Sequence, residues 1–295
     1  MRILVIGGLG MLGHKVYQRL SDQFDTFATV RAYPPQSEAL GLFRAGRLVA
    51  GVDAGNIATV DIAIDQVRPD AVINCVGIVK KASGAKYPIA SISINALFPH
   101  LLESLCTDRG TRLIHVSTDC VFSGKHGHYV EDDYADPVDL YGRTKHLGEV
   151  CGANSLTIRT SIIGREIAGA NGLVEWFLAQ RGRKVSGYTN AIFSGFPTVV
   201  LADLIGAILR EHTQLKGMYH VSADPISKYD LLMLLREAYD VPIEIEPDPD
   251  VQIDRSLDSR RFRRLTGYQP PSWTELVAEL VSDPTPYGLW REQQW

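Results

Sequence analysis

Residues 2–6 form a short apolar run, and Gly7, Gly10 and Gly13 follow it at intervals of three. A helical pattern then carries Val16, Tyr17 and Leu20. Few folds accept a strand, a glycine turn and a helix in such quick succession. Glycine lets the backbone turn tightly and approach a pyrophosphate, and the N-terminus of the next helix favours the negative charge. That context makes the glycines a dinucleotide-binding motif, with Met11 and Leu12 inside the turn as further cofactor contacts. The spacing is Gly7-x-x-Gly10-x-x-Gly13, not the G-x-G-x-x-G of simple dehydrogenases, and a plain structural turn would look the same.

Further apolar runs at residues 26–30, 48–52, 71–76, 113–116 and 155–160 read as parallel strands. Helical patterns lie between them at 57–66 and about 90–108. This alternation predicts an α/β fold with a doubly wound parallel sheet. Ligands in such sheets sit beyond the carboxyl ends of the strands. Gly13, Arg31, Asp53, Gly77 and Thr118 all fall at or just after such ends, which supports a single site.

Arg31 stands where NAD-dependent folds place an acid on the ribose, about 20 residues beyond the glycines. No acid follows it until Glu38. A guanidinium can fork onto a 2′-phosphate, so NADPH is the favoured cofactor, with NADH still open. A solvated arginine at a strand end is the competing reading. Asp53 is a candidate contact to adenine, and Val76 and Gly77 let the chain pass close to the cofactor. The loop at 80–88 is placed to cover the site.

The chemistry is expected between Ser117 and Lys145. A strand there ends at Ser117-Thr118-Asp119, a polar loop follows, and residues 143–150 read as helix. If Tyr141 joins that helix, it shares a face with Lys145, four residues on. A free tyrosine titrates near pH 10. A nearby ammonium lowers that value and makes the phenol a better general acid, while Thr118 offers a hydroxyl to the same carbonyl oxygen. With 12 tyrosines and nine lysines in 295 residues, chance alone supplies roughly 0.4 such pairs, so the spacing needs the upstream glycines to carry weight.

Together these motifs resemble the extended short-chain dehydrogenase/reductase superfamily, and within it the dTDP-4-dehydrorhamnose reductases. The resemblance runs through Gly7 to Gly13, Asn74 to Gly77, Asn95, Ser117-Thr118-Asp119-x-Val121-Phe122 and Tyr129-x-Glu131-x-Asp133. It continues through Tyr141-Gly-Arg-Thr-Lys145, Arg159-Thr160-Ser161, Pro197-Thr198, Ala202-Asp203-Leu204 and Ser227-Lys228-Tyr229. It implies a Rossmann domain over residues 1–160 plus about 190–222, and a smaller interleaved substrate-binding region over about 161–189 plus 223–295. It also implies Thr118, Tyr141 and Lys145 as the catalytic residues. Asn95, Ser117, Tyr141 and Lys145 would hold the cofactor, with Asn95 also bracing the active-site strand, although a helix-surface asparagine is equally ordinary. Asp119, Cys120, Val121, Ile162 and Arg255 would face the substrate. Cys120 stands where those reductases often carry tyrosine, and Ile162 where they usually carry tryptophan, which leaves the sugar and nucleotide open.

Beyond Ser161 the rhythm changes. Helices are expected at 173–181, 199–210, 228–239, 259–265 and 273–281, a strand at 217–221, a turn at 193–197 and an acidic, proline-rich stretch at 243–249. Arg165, Asn171 and Lys184 lie on or near loops as further substrate candidates. The tail at 287–295 packs on the body or on a partner subunit, so a homodimer stays open. A net charge of −4 without a lysine or arginine block excludes a nucleic-acid partner. The four cysteines lack metal-type spacing, so no metal is expected and free thiols in a reducing cytoplasm are. No segment is expected to supply the roughly 18 apolar residues that span a bilayer.

The resulting expectation is NADPH-dependent reduction of the 4-keto group of a nucleotide-linked 6-deoxy sugar, in cell-surface polysaccharide or glycoside synthesis. One alternative is a sugar-nucleotide epimerase or dehydratase with tightly held NAD. Another is a non-catalytic NADP-binding regulatory subunit like the beta subunit of methionine adenosyltransferase.

Overall fold

In the structure, a computed structural model describing residues 1–32, 41–79 and 87–292, the first apolar run forms β1 (Arg2–Ile6). Then come α1 (Gly13–Ser21), β2 (Asp25–Val30), β3 (Leu48–Ala50), α2 (Ile57–Val67) and β4 (Ala71–Asn74). A long helical run follows: α3 (Pro88–Ser91), a π-helical stretch (Ile92–Leu97) and α4 (Phe98–Asp108). β5 (Arg112–Thr118) leads through a 3-10 turn (Asp119–Val121) towards α5 (Leu140–Leu147) and β6 (Ser155–Thr160). The remainder begins with β7 (Ile162–Ile163), α6 (Leu173–Leu178), β8 (Lys184–Tyr188), β9 (Ala191–Phe193), β10 (Phe196–Pro197) and α7 (Thr198–Glu211). It ends with β11 (Gly217–His220), β12 (Ile226–Ser227), α8 (Lys228–Ala238), β13 (Glu244–Asp248), β14 (Ile253–Asp254), α9 (Arg260–Thr266), α10 (Trp273–Val281) and α11 (Tyr287–Glu292).

Seven strands make one sheet in the order β11-β6-β5-β4-β1-β2-β3, and every neighbouring pair is parallel. Side chains alternate across a strand, and β1 sorts them accordingly. Ile3 and Val5 join one core with Val16, Leu20 and Ile205 from α1 and α7. Leu4 and Ile6 join the opposite core with Val60, Phe98 and Leu102 from α2 and α4. The strand order reverses between β1 and β4, the point at which sheets of this kind leave a crevice for ligands. The expected doubly wound sheet is the observed one.

Smaller sheets, β10-β7, β12-β9-β14 and β13-β8, surround a third core containing Val174, Phe177, Leu231, Leu235 and Leu280. Two local readings need correction here. The stretch at 243–249 is largely strand: β13 pairs in parallel with β8 from Glu244↔Lys184 to Asp248↔Tyr188. Ile243 and Ile245 are buried and alternate with exposed Pro242, Glu244 and Glu246, a period-2 alternation that the acid and proline content obscures. The turn at 193–197 is the short passage between β9 and β10.

The long helical run begins at Pro88, earlier than expected. By length and mean hydropathy, 1.3 over its most apolar window, Pro88–Asp108 passes a membrane-span test that core helices also pass, although Ser, Asn, His and Glu residues interrupt its apolar positions. Its Phe98, Leu102 and Cys106 instead pack against the sheet. The C-terminal tail packs on the body: Tyr287 Oη meets His14 Nε2 at 2.8 Å, Lys15 pairs with Asp283 at 2.6 Å, and Trp290 is buried.

Candidate active site

The glycine turn leaves room for nothing larger. A Cβ on Gly13 would lie 2.0 Å from the Gly7 carbonyl oxygen, and one on Gly7, whose φ is +91°, would lie 2.9 Å from Val76 Cγ2. Gly10 remains exposed in front of α1, so bare backbone and a helix N-terminus face the crevice together. That arrangement fits a dinucleotide pyrophosphate. Met11 is half-buried, whereas the Leu12 side chain is packed in the core, leaving only its backbone for such a role. Arg31 and Asp53 are exposed beyond the ends of β2 and β3, and Asp53 Oδ1 accepts from the Gly55 amide at 2.9 Å.

Asn95 joins three elements. Its Oδ1 accepts from the Ile78 amide at 2.8 Å. Its Nδ2 donates to the Ile78 carbonyl at 3.0 Å and to Thr144 Oγ1 at 3.3 Å. The segment beyond β4, including Gly77, is thereby tied to α5, one residue from Lys145. Of the loop expected at 80–88 to cover this region, residues 80–86 lie outside the described residues, and Pro88 already opens α3.

Helix α5 begins at Leu140, earlier than expected, because Asp139 caps it by accepting from the Gly142 amide at 2.8 Å. Tyr141 and Lys145 therefore share a helix face. Thr118 ends β5, accepts from the Cys120 amide at 3.1 Å, and donates to Asp119 Oδ1 at 3.1 Å. It is also hydrogen-bonded to the Tyr141 phenol. Burial pushes that phenol well above its usual value of 10; nearby Cys120 adds to the rise, and the Thr118 bond opposes it. The expectation that Lys145 lowers the phenol's pKa is corrected by this. Lys145 Nζ donates to the Val116 carbonyl at 2.8 Å, and burial brings its own pKa down to about 8. A buried lysine near neutrality is a weaker source of positive charge than a solvated ammonium.

Other expected residues divide. Cys120 and Ile162 are half-buried. Val121 is fully buried beside Phe122, Tyr129 and Leu257, so it supports the wall and does not line it. Ser117 donates to Glu149 at 2.8 Å; its side chain serves an interior ion pair between Glu149 and Arg159, bonded at 2.7 and 2.8 Å. Arg255 Nε donates to the Phe122 carbonyl at 2.8 Å, which anchors it beside the loop after Thr118. Arg165 pairs with Glu175 at 2.5 Å and lies over the Tyr287 ring, and Lys184 pairs with Glu244 and Glu246 on the outer surface. Asn171 is exposed.

Arg159 and Tyr129, quoted above only as motif residues, join His220 in an interior network next to the Glu149 ion pair. Arg159 Nη1 donates to His220 Nε2 at 3.3 Å, and His220 Nδ1 donates to the Tyr129 carbonyl at 2.9 Å. Tyr129 stacks on Phe122 with centroids 4.2 Å apart. Ionisable residues at the ends of apolar strands were the available signal.

One family model, described as the RmlD substrate binding domain, matches residues 1–285. The chain belongs to that family. Among similar proteins, a dTDP-4-keto-6-deoxy-D-glucose reductase from Streptomyces niveus is 27% identical over 285 residues, covering 93% of this chain and 90% of that protein. A dTDP-4-dehydrorhamnose reductase from Mycolicibacterium smegmatis is 32% identical over 238 residues, covering 76% and 68%. The fold matches the structure of dTDP-4-dehydrorhamnose reductase from Bacillus anthracis in complex with NADP, with a TM-score of 0.79, 22% identity and coverage of 96% and 99%.

Proposed function

We propose that this chain reduces the 4-keto group of a nucleotide-linked 6-deoxy sugar, with NADPH as the reductant. The observation that carries the reading is the Thr118–Tyr141 hydrogen bond at the end of β5, on the same strand ends as the glycine turn. The names of the Streptomyces and Mycolicibacterium relatives supply the substrate class.

When bound, the reduced nicotinamide supplies a hydride to the carbonyl carbon. The chain's part is to receive the charge that develops on oxygen. Tyr141, held as a neutral phenol by burial, donates its proton to that oxygen, and Thr118 orients the same oxygen through its hydroxyl. A raised phenol pKa does not prevent this, because a sugar alkoxide is a far stronger base than a phenolate. It does favour a donor over a base, which suits reduction better than the initial oxidation an epimerase or dehydratase needs. Gly7, Gly10 and Gly13 with the α1 N-terminus would hold the pyrophosphate, Arg31 the 2′-phosphate, and Lys145 the nicotinamide ribose. Cys120, Ile162, Asp119 and Arg255 would bound the sugar nucleotide, with residues 161–189 and 223–295 forming its side of the crevice. The setting the family suggests is cell-surface polysaccharide or glycoside synthesis.

The test is to incubate enzyme, NADPH and a 4-keto-6-deoxy dTDP sugar in deuterated water, following absorbance and product. Stoichiometric NADPH loss without deuterium at carbons 3 and 5 is the expected result. Deuterium there without cofactor loss would show epimerisation instead.

A further inference from the structure

Asn74, His115 and Lys145 form a buried line across the sheet. Asn74 and His115 are register partners on β4 and β5, neither is exposed, and Lys145 is 4% exposed. Asn74 Oδ1 accepts from the Val76 amide at 3.1 Å. A backbone amide can only donate, so this bond fixes the orientation of the side-chain amide. Asn74 Nδ2 must then be the atom 3.0 Å from His115 Nδ1. Reversing the amide would set two donors against each other at Val76. His115 Nδ1 is therefore an acceptor, and a neutral imidazole that accepts there carries its proton on Nε2. Burial, followed by the charge of Lys145, holds the ring well below its usual pKa and thus neutral.

His115 Nε2 lies 3.5 Å from Lys145 Nζ. The ring consequently aims an N–H at the lysine, not a lone pair. An ammonium has three donors and no acceptor, so a charged Lys145 faces a donor with another donor. A neutral amine meets the N–H with its lone pair and keeps its bond to the Val116 carbonyl, at 2.8 Å.

We propose that Asn74 and His115 are positioning residues that lock the Nε2–H tautomer of His115 and thereby favour the neutral amine of Lys145. The catalytic consequence rests on the reductase reading above; the tautomer lock does not. Other groups around Lys145 act in the opposite sense or are silent. Glu149, near the end of α5, and Cys75, beyond β4, both favour the ammonium. Glu149 is already paired with Arg159, and the Cys75 thiol is pushed up to about 12 by burial and so stays neutral. The charge of His100 on α4 disfavours protonation of His115, and Tyr141 lies one helical turn before the lysine.

Two measurements on the cofactor-free protein decide it. Nitrogen-15 NMR of the histidine rings should show His115 protonated at Nε2 and bare at Nδ1; an Nδ1–H form overturns the proposal without any variant. Carbon-13 NMR of the lysine ε-carbons, assigned with Lys145→Met, then follows Lys145 through pH. In Asn74→Asp the carboxylate accepts from both Val76 N–H and His115 Nδ1–H, turning the tautomer over. Lys145 should then titrate about one unit higher or more. A buried carboxylate would also raise it by charge alone, so the same titration is run in Asn74→Asp/His115→Phe. The upward shift should be mostly lost there; a shift of equal size in the double variant sinks the tautomer lock. Reduction of a 4-keto sugar by a protein whose His115 is Nδ1–H would leave the reductase reading standing and remove this one. Failure to reduce any such sugar, with the Nε2–H form observed, would do the reverse.

Discussion

Gly142 meets the carbonyl oxygen of Cys120 so closely that a Cβ on it would lie 2.2 Å from that oxygen. The first turn of α5 is thereby pressed against the turn after Thr118, and this contact brings Tyr141 to Thr118. Gly142→Ala should force the helix away. The expected loss of stability is about 1–3 kcal/mol by urea unfolding. Turnover should fall further than unfolding explains, by roughly 100-fold, because a displacement near 1 Å misplaces the phenol. Normal turnover in this variant would show that the contact does not set Tyr141.

Tyr141→Phe removes only the phenolic oxygen. Turnover should drop by about 10²–10⁴-fold, with cofactor affinity, read by fluorescence titration, nearly intact. Lys145→Ala should lower both. A Phe variant with near-normal turnover would assign the proton donor elsewhere.

Arg31→Ala should weaken NADPH by roughly 10–100-fold, the worth of a charge-assisted hydrogen bond, and leave NADH almost unchanged. Titrating both cofactors into both proteins checks it. Equal losses would mean that Arg31 does not read the 2′-phosphate.

Glu149 and Arg159 are each 4% exposed. Burial alone would raise the Glu149 pKa, but hydrogen bonds from Arg159, His146 and Ser117 outweigh it and hold the carboxyl below its usual 4.5. A depressed folded pKa means that its stabilisation is full above about 4.5, the unfolded value. It fades as pH falls through the lower folded value. Glu149→Gln should flatten that acid limb in urea midpoints measured from pH 7 to pH 3. Glu149→Ala, which leaves Arg159 buried and unpaired, should cost about 3–5 kcal/mol at pH 7. An unchanged acid limb in Glu149→Gln would place the acid sensitivity in other carboxylates.

Local chemistry made much of this protein legible in its sequence. The glycine turn, the six apolar runs of the main sheet that precede Ser161 and the later strand at 217–221 announce themselves through period and backbone sterics, which depend on neighbours in the chain. The pairing of Tyr141 with Lys145 is equally local, since helical geometry alone places side chains four apart on one face. Tertiary structure decided everything that depends on what lies across a strand or beneath a helix. Desolvation reversed the expected direction of the Tyr141 pKa and brought Lys145 down to about 8, and no spacing rule reports burial. The role of His115 depends on Asn74, 41 positions away, and the role of Ser117 on Glu149, 32 positions away. Residues so far apart meet only when the sheet sets their register, so their chemistry is a property of the fold.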